Sequence, residues 1–229
     1  MALQVLSPDQ LVFPHPFTCF DDGFLCVGAN LDPDRLLLAY QFGIFPWYSE
    51  GDPLLWWTPY PRMVLFLQEL KLSKSLKTII RKQHFTVTFD TNFQYVIDQC
   101  SKVPRRGQDG TWITPEMKAA YLELHNLGFA HSVEVWNGDT IVGGLYGIAL
   151  GKIFYGESMF YHEPNASKVG FAALCDRLIK NDFKFVDCQQ ETDYMASFGA
   201  KTISAQGFMQ ELRMNALRDR DGGSWNAIN

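Results

Sequence analysis

Apolar and polar positions change rhythm near residue 61. Upstream, Pro, Gly and aromatic residues interrupt any period, and one helix is legible in DPDRLLLAYQFG, with Asp32 at the N-cap, Pro33 in the first turn and Gly43 past the end. Downstream, alternating and helical periods follow one another. MVLFL (63–67) and FTVTFD (85–90) predict strands, KLSKSLKTIIRK (71–82) between them predicts a helix, and NFQYVIDQC (92–100) predicts another. KVPRRGQDGTWI follows as a loop. Thr114-Pro115 then opens a helix through Leu127, closed by Gly128. SVEVWNGDTIVGGLYGIAL predicts a hairpin turning around Asn137-Gly138, and KIFYGESMF (152–160) a further strand. Asn165 caps a long amphipathic helix over 166–181. FKFVDCQ (183–189) is dominated by apolar residues and predicts a strand inside the sheet. A last helix covers roughly Gln206 to Arg218.

From the hairpin onward the order is β-β-β-α-β-α. This predicts an α+β fold with a mixed sheet of the kind used by acetyltransferase-like (GNAT-type) N-acyltransferases. The change of texture predicts two domains, a small N-terminal one over 1–61 and the acetyltransferase-like one over 62–229. The 229 residues, 47% hydrophobic, suffice for one large core with a small appended unit. No apolar run reaches membrane-span length, because Asp32, Arg35, Glu50 and Asp52 interrupt the richest region. MALQVLSPDQ lacks the basic-then-apolar pattern of a secretory signal. The five cysteines include no C-x-x-C pair and read as reduced thiols, with neither a metal site nor a disulfide framework. A cytoplasmic protein without a membrane partner is expected.

A net charge of −5 excludes a general nucleic-acid coat. One local exception is the helix over 71–82, where Lys74, Lys77 and Arg81 share a face. That face is either merely solvated or a contact for a phosphate backbone. The chain has no G-x-S-x-G, no H-E-x-x-H and no phosphate-binding Gly loop, and its five histidines are scattered. Cys188, in an apolar strand, reads as an inert buried thiol. Two carboxylates stand out by position: Glu157 follows Gly156 late in a strand, and Asp187 ends the apolar run FKFV, with Gln189 on the same face by alternation. They form a site, or Asp187 caps a turn and Glu157 pairs with a lysine. YHEPNASK, where an acetyl-CoA enzyme of this fold would place a Gly-rich pyrophosphate turn, has no glycine and carries Glu163, which argues against CoA. GIFPWYSEGDPLLWWTPYPR (43–62) holds Trp47, Trp56 and Trp57 among four prolines, as a packed plug or a platform for a ligand.

That segment, together with GTWIT (110–114), HSVEVW (131–136), VGGLYG (142–147), GESMF (156–160), NASK (165–168) and DCQ (187–189), resembles the leucyl/phenylalanyl-tRNA–protein transferases, in the family's order. The resemblance implies transfer of Leu, Phe or Met from aminoacyl-tRNA to the α-amine of proteins that begin with Arg or Lys, marking them for N-end rule degradation. It implies no cofactor, and a monomer is expected. Carried over by position, Trp47 and Trp112 match the tryptophans at the 3′-terminal adenosine, while Asp187, Gln189 and Glu157 match active-centre residues. Tyr194 stands where the family often has histidine, Phe198 replaces a leucine of S-L-G-A, and Tyr161 follows GESMF in place of the usual serine.

Each assignment has a physical reading. Stacking on aromatic rings grips a single-stranded RNA end. The face with Lys74, Lys77 and Arg81 would meet tRNA phosphates. Acidic groups would select a cationic acceptor, with Asp187 binding the acceptor amine and Gln189 hydrogen-bonding the reacting groups. Met159, Phe171 and Val186 either line a pocket for the donor side chain or belong to the core. Trp56 and Trp57 are expected to form the plug, leaving Trp47 for the ligand. A tRNA-dependent transferase of the peptidoglycan type and a non-catalytic module for RNA ends or peptide N-termini are the competing readings; turnover separates the second from an enzyme.

Overall fold

The structure, a computed structural model, describes residues 2–103, 111–216 and Trp225. Four short strands build a small sheet: β1 (Val5–Leu6), β2 (Phe24–Gly28), β3 (Phe45–Pro46) and β4 (Leu55–Trp57), in the order β1-β2-β4-β3, with helix α1 (Pro33–Gln41) between β2 and β3. None of these strands was legible: three have only two or three residues, and FLCVG of β2 shows no alternation. Trp56 is their anchor: it is fully buried, its Nε1–H donates to the Gly28 carbonyl at 3.0 Å, and Phe13 meets it edge-on. Gly43 ends the turn after α1 at φ +69°, and a Cβ there would lie 2.5 Å from the Phe208 ring.

The change of rhythm at residue 61 marks the passage into a second sheet. It comprises β5 (Arg62–Phe66), β6 (Thr86–Phe89), β7 (Ala130–Asn137), β8 (Thr140–Leu150), β9 (Ile153–Tyr161), β10 (Phe185–Gln189) and β11 (Lys201–Ile203), with helices α2 (Lys74–Arg81), α3 (Phe93–Cys100), α4 (Pro115–Asn126), α5 (Ala166–Lys180), α6 (Asp193–Ala196) and α7 (Ala205–Asn215). The strand order is β11-β5-β10-β9-β8-β7-β6, parallel between β10 and β9 and antiparallel elsewhere. The apolar strand β10 is interior, as its composition predicts. The hairpin turns on Gly138-Asp139, with Asn137 already paired to Thr140. Helix α2 starts late because the Ser73 hydroxyl caps it by accepting the Leu76 N–H. Residues 217 and 218 of the expected last helix, and 104–110 of the expected loop, lie outside the described residues.

The sheet has two covered faces. On one, Leu145, Phe154 and Val186 pack with Phe171 and Leu174 of α5. On the other, Tyr146, Tyr155 and Phe185 share a continuous cluster with α3, α4 and the small sheet, including Tyr40 and Trp56. Helix α1 packs on α4 and β8, which brings the N-terminal segment against the large sheet.

Candidate active site

Strands β9 and β10 pair over Ile153–Phe185, Phe154–Val186 and Tyr155–Asp187 and then part. A cavity of about 740 Å³ opens in the gap. Of the residues expected at a site, Glu157, Asp187, Met159, Phe171 and Val186 line it. Gln189 touches it through Glu157, to which its Nε2 donates at 3.0 Å.

Two bulges place this pair. Tyr146 faces Ser158 and Gly147 faces Gly156, so Glu157 is the extra residue of β9; likewise Cys188 is the extra residue where β10 shifts against β5. Gln189 follows with φ +61°, a conformation a non-glycine side chain seldom adopts. Simple alternation, which put Gln189 on the face of Asp187, therefore fails here.

Among the described residues Glu157 has no lysine partner. Its carboxyl accepts from the Tyr40 hydroxyl at 2.8 Å and the Tyr121 hydroxyl at 3.0 Å, and the two hydroxyls also bond each other. Burial pushes Glu157 up to about 7, against the opposing pull of the Tyr40, Tyr121 and Gln189 bonds. A proton count agrees. The ring of Tyr40, Tyr121 and Glu157 contains three hydrogen bonds: an ionised carboxyl that accepts from both phenols leaves the Tyr40–Tyr121 contact without a proton, whereas a protonated one donates to one phenol and accepts from the other. Burial likewise holds both phenols well above their ordinary range.

Asp187 differs from expectation. It is fully buried, takes a bidentate pair from Arg62 (Nε to Oδ1 2.9 Å, Nη2 to Oδ2 2.7 Å), and its Oδ1 also accepts the Gln189 N–H at 2.9 Å. Arg62 lies between the Phe45 and Phe208 rings, 5.0 and 4.8 Å from their centroids. A carboxylate so neutralised is not free to hold an acceptor amine. It anchors the turn that aims Gln189. Arg62, Tyr40 and Tyr121 are the partners of the candidate site residues that sequence reasoning missed; the one available signal was a lone arginine heading the apolar strand MVLFL.

Trp47 and Trp112 are not on the cavity wall. Trp112 is buried, and Trp47 is half-buried with its carbonyl accepting the Trp57 Nε1–H at 2.7 Å. The Tyr48 and Thr114 hydroxyls, 3.2 Å apart, join the two tryptophan segments. Trp56→Ala is expected to cost about 3–5 kcal/mol in urea unfolding, and Trp47→Ala under about 1 kcal/mol, since only the first empties a filled core site. Lys74, Lys77 and Arg81 are exposed on α2, away from the cavity, with Leu76 turned inward. Cys188, expected to be buried, is partly exposed and lines the cavity, while desolvation raises its thiol well above its usual range. Among the described residues no cluster of His, Cys, Asp and Glu could hold a metal ion, and no helix is long and apolar enough to cross a membrane.

Known proteins point the same way. The model of the leucyl/phenylalanyl-tRNA protein transferase family matches residues 64–213, and that of its N-terminal domain matches 29–59. A leucyl/phenylalanyl-tRNA–protein transferase of Maridesulfovibrio salexigens is 53% identical over 219 residues, covering 93% of this chain and 90% of its own. That of Syntrophobacter fumaroxidans is 50% identical over 217 residues, covering 95% and 93%. Among solved structures, L-PGS from Bacillus licheniformis aligns over 82% of this chain and 71% of its own at 11% identity, with a TM-score of 0.45, too low to argue from. With half of all positions shared across nearly the whole length, the chain belongs to the leucyl/phenylalanyl-tRNA–protein transferase family.

Proposed function

We propose that the chain transfers Leu, Phe or Met from aminoacyl-tRNA to the α-amine of proteins beginning with Arg or Lys, and so feeds the N-end rule pathway, acting as a cytoplasmic monomer. The observation that carries this reading is the pairing of Gln189 with Glu157, a carboxyl near pH 7, where β9 and β10 part beside an apolar cavity. An aminoacyl ester is already activated, so the reaction needs a positioned, deprotonated amine. Glu157 in its ionised form takes the proton that the acceptor nitrogen sheds on attacking the ester carbonyl. The C–O bond to the ribose then breaks, and the 3′-oxygen leaves with that same proton, handed on from Glu157, which returns to its ionised form. An α-amine titrates near pH 8, close enough to Glu157 for efficient exchange.

Gln189 commits its NH₂ to Glu157, which leaves the amide oxygen to orient the incoming amine. Asp187, held by Arg62, sets that geometry at one remove. Met159, Phe171 and Val186 receive the donor side chain. By the family resemblance Trp47 and Trp112 are assigned to the terminal adenosine, and the exposed Lys74, Lys77 and Arg81 to the tRNA backbone. The division at residue 61 reads as a small domain docked on an acetyltransferase-like one, the parting parallel strands β9 and β10 being the feature that favours this assignment.

The test is incubation with Leu-tRNA, Phe-tRNA or Met-tRNA and a peptide beginning with Arg, followed by mass measurement. One added Leu, Phe or Met residue is expected, and none on an N-acetylated peptide. No mass gain with any donor would sink the reading.

A further inference from the structure

Strand β9 is paired with β8 along its length, out to Tyr161 opposite Gly143. On its other side β10 covers it only from Ile153 to Tyr155. Among the described residues no strand pairs with the remaining stretch, Gly156 to Tyr161, on that side. All six of these residues line the cavity in unbroken succession. A cavity lying against one face of a strand would touch alternate residues. Here the wall includes Met159, which packs with the α5 side, and Phe160, which packs with the α3 side. The cavity therefore lies in the plane of the sheet, against the backbone edge of β9.

We propose that this edge is the docking strand for the acceptor protein, whose first residues add to the sheet beside Gly156–Tyr161 in the lane that β10 vacates. The inference rests on the reading above that a protein N-terminus is the acceptor. Three observations choose this occupant. The closed end of the edge is Glu157 and Gln189, where the amine must react, so the peptide's first residue lies there. The open end is Tyr161, 65% exposed, where the rest of a folded acceptor can continue into solvent. The open stretch is roughly 20 Å long at about 3.3 Å per residue, far more than one donor amino acid needs and suited to several residues of extended chain. β9 runs outward from Ile153 to Tyr161, and the acceptor must run outward from its amine. The added strand is thus parallel to β9, as β10 is. Main-chain bonding of this kind is indifferent to side chains beyond the first residue, which suits an enzyme that acts on many proteins.

A parallel ladder makes a testable pattern, because only every second residue of the added strand turns its N–H and C=O toward β9. Four acceptor peptides that begin with Arg are compared: one unmodified, and three carrying a single backbone N-methyl group at residue 2, 3 or 4. The expected result is an alternation. Either positions 2 and 4 lose about tenfold in kcat/KM while 3 is tolerated, or 3 alone loses it, the loss of one ladder bond being worth up to about that factor. Equal responses at all three positions, or none, would overturn the proposal. The unmodified peptide is the control for transfer itself, so failure of docking and failure of the acceptor reading separate. Hydrogen exchange supplies a second measurement. Amides within 156–161 are expected to slow when the unmodified peptide is added; protection already complete without it would mean that the chain covers its own edge, and would also overturn the proposal.

Discussion

Changing Arg62 to Met is expected to lower the stability of the chain by about 3–5 kcal/mol and to abolish transfer. The guanidinium and the Asp187 carboxylate are both buried, so removing either one strands the other charge away from water. The measurement is the urea midpoint at constant slope. The informative comparison is the double change Arg62→Met with Asp187→Leu. It replaces a buried ion pair with apolar groups between Phe45 and Phe208, and stability is expected to return to within about 1–2 kcal/mol of the parent or above it. Transfer is expected to stay at least tenfold down, because the Gln189 N–H has lost its acceptor and nothing keeps the left-handed turn aimed at Glu157. Recovery of both stability and kcat would show that the pair is structural only.

Glu157→Gln is expected to move activity and stability in opposite directions. An amide reproduces the protonated carboxyl, donating to one tyrosine and accepting from the other, but it cannot take a proton. A fall of about 10²–10⁴ in kcat/KM is expected, with loss of the limb near pH 7 in the rate profile. In the parent, the carboxyl rises from 4.5 unfolded to about 7 folded, so the native state holds its proton more tightly. The native chain therefore binds more protons between pH 4.5 and 7, and stability falls as pH rises through that window, by at most about 3 kcal/mol. Above pH 7 the penalty is complete and constant. The Gln variant lacks this dependence, so at pH 8 it should melt at the parent's temperature or higher. A variant that keeps the limb near pH 7 would remove Glu157 from the role of proton acceptor.

Most regular elements from residue 62 onward were legible, because long amphipathic helices and strands repeat their period several times and state their caps locally. Thr114 caps its helix through its own side chain, as its position predicts, whereas the expected caps Asp32 and Asn165 make no side-chain cap bond and Ser73 and Asn92, read inside their helices, do. The small sheet and β11 were not legible: β1, β3, β4 and β11 have only two or three residues and are specified by what packs on them, and the five residues of β2, FLCVG, carry no alternation. The site followed the same division. Glu157, Asp187 and Gln189 were visible as polar residues at strand ends, and Met159, Phe171 and Val186 as neighbours of the gap. Their roles depended on bulges, which insert one residue and leave no mark in a binary pattern. The partners Arg62, Tyr40 and Tyr121 are distant in sequence and resemble ordinary core or surface residues until the chain closes. Asp187 shows the limit most clearly: its position was readable, but its neutralisation by a residue 125 positions away was not.

The ring that links Tyr40, Tyr121 and Glu157, with Gln189 bonded to it and Phe208 behind Arg62, also has a history in time. Synthesis presents Tyr40 long before Gln189, and Gln189 before Phe208. No shorter nascent fragment holds the whole centre. A nascent chain is thus expected to be inert toward charged tRNA until Phe208 has been added.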